Sequence, residues 1–146
     1  MPSTPVTNPV PSQPVLLTGV RVVSDSCVDH VVFDFKGTHP DVPGYSVNYG
    51  SPPFAADASG AKVSVAGKAF ITVHIAPAYG YDPATYVRTY NGKTRIAGSG
   101  AKYVTELVET GDFEGVVNWV IGLNEKRPFT VEATGAPARQ LVVTVS

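Results

Sequence analysis

The strongest constraint on this chain is a rhythm of short apolar runs cut by Gly, Pro, Asn and Asp at intervals of about 8–12 residues. Within several runs apolar residues recur at every second position. Val31, Phe33 and Phe35 alternate with Val32, Asp34 and Lys36, the period of a strand that turns one face to a core. Tyr45, Val47 and Tyr49 alternate with Ser46 and Asn48. Residues 15–23 read as a first strand. Residues 62–76 read as one or two strands, with Gly67 as a turn or bulge. Here Ile71, Val73 and Ile75 share one face, and Phe70, Thr72 and His74 the other. Residues 103–109 form a further strand, and Gly111-Asp112 is a turn signal. Beyond it Phe113, Val117, Trp119, Ile121 and Leu123 take one side. Val116 and Val120 are apolar on the other, which predicts a central strand covered on both faces. Phe129 and Val131 mark the next strand, and Leu141, Val143 and Val145 the last. The chain has 24 Val and 13 Thr against 5 Leu and 4 Ile, and β-branched side chains favour strands. The expected fold is all-β, an antiparallel β-sandwich of eight or nine short strands with no helix.

At 146 residues the chain suits one domain with its own core. Its net charge of −1 argues against duplex nucleic acid as a partner. No apolar run reaches the roughly 18 residues of a membrane-spanning helix. The single cysteine, Cys27, excludes an internal disulfide and a multi-cysteine metal site. It sits in a polar stretch that reads as a turn or strand edge. Residues 1–14 hold five Pro among Ser, Thr, Asn and Gln. That composition predicts a disordered tether, with the folded domain covering residues 15–146. Such a tether suits an exported protein held away from a membrane or wall, with a targeting segment or lipid anchor upstream.

The residues offer little catalytic chemistry. His30, His39 and His74 form no HxH or HxxxH pair, so no metal site and no cofactor is expected. Only His30 and His74 are candidates to meet across strands. Glu106, Glu109, Asp112 and Glu114 fall close together, and glycoside hydrolysis needs two carboxyls about 5–10 Å apart. Carboxylates on strands and turns are more often a solvated face. Gly98-Ser99-Gly100 lacks the setting of a nucleophile elbow, and no glycine-rich loop precedes a helix.

One segment breaks the rhythm. Residues 77–100 show little apolar periodicity, although 85–90 is a candidate short strand, and loops of such length are often functional. This one holds Tyr79, Tyr81, Tyr86 and Tyr90 with Asp82, Arg88 and Arg95. Sugars stack on aromatic rings while their hydroxyls find polar partners, and guanidinium groups pair with carboxylates. These seven residues are the candidate ligand-binding set. The competing reading folds the tyrosines back onto the sandwich. Trp119, among apolar neighbours, reads as core.

The order of these pieces resembles the AMIN-like domain of actinobacterial exported proteins and lipoproteins. The matching stretches are residues 17–21, 29–35, 43–47, 67–75, 106–119, 121–123, 128–131 and 141–145. The most specific is Thr110 to Trp119 with Ile121-Gly122-Leu123 behind it. The sequence departs from the usual pattern at Cys27 and at His30, where Arg is usual. The resemblance implies an extracytoplasmic β-sandwich without catalytic residues, related to the AMIN domains of cell-wall amidases and secretins. The implied partner is peptidoglycan or a cell-envelope protein. The alternatives are an envelope hydrolase using the clustered carboxylates, or a protein-interaction domain acting by strand addition.

Overall fold

The computed structural model of the protein describes residues 6–8, 14–25, 27–37 and 44–146. His39 and most of residues 1–14 lie outside these. There is no helix among the described residues. The described residues form thirteen strands in three sheets. In chain order they are β1 (Val6–Asn8), β2 (Val15–Asp25), β3 (Val28–Lys36), β4 (Tyr45–Gly50), β5 (Phe54–Ala55), β6 (Lys62–Val63) and β7 (Ala69–Ile75). Then come β8 (Ala78–Tyr79), β9 (Arg95–Ala97), β10 (Val104–Phe113), β11 (Val116–Leu123), β12 (Phe129–Thr134) and β13 (Gln140–Val145). Eight of them have six residues or more, and these are the strands that the alternation predicts.

The larger sheet has the order β1-β4-β7-β11-β10-β9 and is antiparallel throughout. The second has the order β12-β13-β3-β2-β8, with β8 parallel to β2. Between the two lies one core. Leu17, Val31, Phe33, Phe129, Leu141 and Val143 enter it from the five-stranded sheet, and Val47, Ile71, Ile75, Leu107, Trp119 and Ile121 from the six-stranded sheet. Along β2 the inward positions change from Val15 and Leu17 to Val20 and Val22. A bulge between Leu17 and Gly19 moves the phase by one residue, as an unpaired extra residue must.

The central strand expected in 116–123 is β11, flanked by β7 and β10. Its outer face is covered by the segment that carries the β5–β6 hairpin. Phe54 meets Phe70 edge-on at 5.3 Å, Asp57 accepts from the Asn118 amide at 2.7 Å, and the Thr105 hydroxyl donates to the Ala66 carbonyl at 2.5 Å. Gly122 admits this cover, since a Cβ there would lie 2.0 Å from the Ala66 carbonyl.

Three local expectations change between residues 77 and 115. Gly111-Asp112 is no turn: β10 continues through it to Phe113, with a bulge between Glu109 and Gly111. The turn is Glu114-Gly115, with φ of 53° and 79°, and two positive φ values are what a two-residue hairpin loop needs. Residues 85–90 form no strand, only a single bridge between Tyr81 and Arg88. The supposed loop 77–100 holds two short strands, β8 and β9. Within the stretch read as a tether, β1 pairs with the free edge of β4.

Candidate functional site

The tyrosine-rich segment is fastened to one end of the sandwich. It leaves β7 at Ile75, passes through β8 and doubles back, with the Thr89 and Tyr90 amides donating to the Gly80 carbonyl. The Gly80 amide donates to Asp112 Oδ2 at 2.9 Å, and Arg88 Nη1 reaches the same oxygen at 3.4 Å. Gly80 is required by this approach, because a Cβ there would meet Asp112 Oδ2 at 2.4 Å. Arg88 Nη2 also donates to the Tyr90 carbonyl at 3.2 Å. The Thr89 hydroxyl donates to the Leu17 carbonyl at 2.8 Å, tying the segment to β2.

Asp82 shapes the tip. Its Oδ1 accepts from the Ala84 amide at 2.9 Å, and its carbonyl accepts from the Tyr86 amide at 2.7 Å. This Asx turn leaves Tyr86 at φ 60°, a backbone region that side-chain-bearing residues rarely adopt. Tyr86 is 81% exposed and Val87 63%. The rings form a continuous group: Tyr79 meets Tyr81 edge-on at 5.3 Å, and Tyr81 stacks on Tyr86 at 6.4 Å.

Five of the seven expected site residues therefore come together, namely Tyr79, Tyr81, Asp82, Tyr86 and Arg88. Two stand elsewhere. Tyr90 is only 2% exposed and packs edge-on against Trp119 at 5.8 Å, with its hydroxyl donating to the Lys93 carbonyl. Burial, then the charge of Glu109, push its hydroxyl pKa up. Arg95 is on β9 and pairs with Glu106 at 2.8 Å.

The four clustered carboxylates divide into separate roles. Glu106 holds Arg95 and accepts from the Ala66 amide. Glu114 is at the hairpin turn. Glu109 and Asp112 lie under the tyrosine segment, each with one buried oxygen that has no hydrogen-bond partner. Burial, with the neighbouring charges of Asp112 and Asp57, raises the Glu109 carboxyl to about 7, against the pull of Arg88. No group of three His, Cys, Asp or Glu suited to a metal occurs among the described residues. His30 and His74 stand in different sheets, bonded to Thr144 and Asn118.

The supporting roles of two residues escape the sequence reading. Asp112 anchors the segment, and Asp29 braces the entry to β10. Asp29 is fully buried and accepts from the amides of Lys102, Tyr103 and Val104 and from the Ser24 hydroxyl. Burial alone would raise its pKa; these four donors outweigh burial and hold it below the ordinary value. The only local signal was an acidic residue at the start of an apolar strand.

No curated protein and no solved structure matches this chain. A sequence model of the AMIN-like domain matches residues 15–146, which is the whole sandwich from the first residue of β2 onward. The chain therefore belongs to the AMIN-like domain family.

Proposed function

We propose that this domain is a non-catalytic binding module acting outside the cytoplasmic membrane, and that its tyrosine segment contacts peptidoglycan or a cell-envelope protein. One observation carries the reading. Tyr79, Tyr81 and Tyr86 form a connected aromatic surface, and hydrogen bonds to Asp112 and Leu17 fix its base. Rings held in place beforehand lose little entropy on binding. Arg88 beside them supplies a charge for a carboxylate. Sedimentation with insoluble peptidoglycan tests this. The wild type should sediment, and a folded Tyr81→Ala/Tyr86→Ala variant should lose most of its binding, since each stacking ring contributes about 1 kcal/mol. A wild type that stays in the supernatant across salt and pH removes peptidoglycan as the ligand.

A second reading rests on β12. It ends the five-stranded sheet, pairs regularly with β13 over six residues, and carries a single charge, Glu132. Long edges with few charges accept an added strand. Pull-down of an envelope protein that survives the tyrosine substitutions but fails with Val131→Pro would favour this route.

A further inference from the structure

We infer that a second ligand site, for a small carboxylate with an apolar body, lies at the opposite end of the six-stranded sheet. It goes beyond the tyrosine reading and does not depend on it. Strand β7 meets the tyrosine segment at Ile75 and this pocket at its other end, about 20 Å away at roughly 3.3 Å per residue. The pocket holds about 370 Å³ and is lined by Tyr49, Ser51, Pro52, Lys68, Phe70 and Lys126, among others. That volume falls in the range of small-molecule sites, about 300–1,000 Å³.

Its walls are fixed. The Tyr49 hydroxyl donates to the Arg127 carbonyl and accepts from the Arg127 amide at 2.8 Å, and its ring packs edge-on against Phe129 at 5.6 Å. Phe70 is braced by Phe54. Its cations are available. The Lys68 ammonium has no ion pair among the described residues, and the Lys126 ammonium is 5.0 Å from the Tyr49 ring centroid. No carboxylate among the described residues lines the pocket. The nearby Glu125 pairs with Arg127 at 3.3 Å. The Ser51 hydroxyl likewise has no hydrogen-bond partner among the described residues. Two lysines and a serine beside an aromatic and proline wall complement one carboxylate joined to an apolar body.

Two sources share that chemistry: a peptide's C-terminal carboxylate and a free organic acid. The test is an amide NMR titration of the full chain with N-acetyl-alanyl-alanine, its C-terminal carboxamide and hexanoate. The acids should shift the amides of Gly50, Ser51, Lys68 and Ala69, and the carboxamide should not. Tighter binding of the acetylated dipeptide assigns the site to peptide ends, and tighter binding of hexanoate to organic acids. Lys68→Gln should weaken binding about fivefold, and rising salt should weaken it further. The Tyr81→Ala/Tyr86→Ala variant should bind like the wild type. Equal shifts from the carboxamide, no shift from either acid, or wild-type affinity in a folded Lys68→Gln variant would overturn the site.

Discussion

At pH 7 the Glu109 carboxyl is near the midpoint of its titration, because burial and the adjacent Asp112 and Asp57 oppose its charge. An unfolded glutamate ionises near 4.5. Between 4.5 and about 7 the folded chain therefore binds more protons, and its stability falls as pH rises through that window. Above 7 the full cost of the buried charge applies. Glu109→Gln should raise the melting temperature at pH 8 by about 3 °C after allowing for screening at this partly exposed site. It should also flatten the wild type's decline between pH 5 and 8. A variant with the wild-type pH profile would show that Glu109 does not ionise in that range. Nothing in the sequence separates Glu109 from Glu106. Simple alternation places residues 109 and 112 on opposite faces. The bulge between Glu109 and Gly111 puts both on the inward side, opposite Trp119 and Val117, and bulges leave no reliable signal in one sequence.

The long strands were legible because each carries its own pattern. Val31, Phe33 and Phe35 repeat often enough to fix a face. The short strands β5, β6, β8 and β9 have two or three residues, and distant partners define them. Ala78 and Tyr79 are a strand only because Val15 and Leu16 run parallel to them. The same holds for the tyrosine segment: its aromatic content was visible, but the inward turn of Tyr90 depends on Trp119, and the fixing of Gly80 depends on Asp112. Between elements, the Asp29 brace joins β3 of one sheet to the entry of β10 in the other. Asp29→Asn would set an amide N–H₂ against backbone N–H donors and leave donors unpaired. It should cost about 2–4 kcal/mol in urea denaturation. Loss of less than ~0.5 kcal/mol would mean that water replaces the carboxylate freely.

The molecule has two large sheets packed on one core, with the small β5–β6 hairpin outside it, and Trp119 is the residue that joins the parts. Its ring meets Phe33 of the five-stranded sheet at 6.1 Å and Tyr90 of the tyrosine segment at 5.8 Å, while its own strand is central in the six-stranded sheet. Neither sheet can keep its inner face dry without the other, so the two should not separate as independent units. The same core holds the proposed surfaces at opposite ends of β7 in fixed positions. Urea unfolding should therefore give one transition, with the same midpoint by Trp119 fluorescence and by far-ultraviolet circular dichroism. An earlier fluorescence transition would mean that the tyrosine end opens before the sheets do. In that case the aromatic surface would not be prearranged, and its affinity would have to include the free energy of ordering the segment. A coincident transition would leave the segment as rigid as the sandwich, which is the condition on which the Tyr79–Tyr81–Tyr86 surface depends.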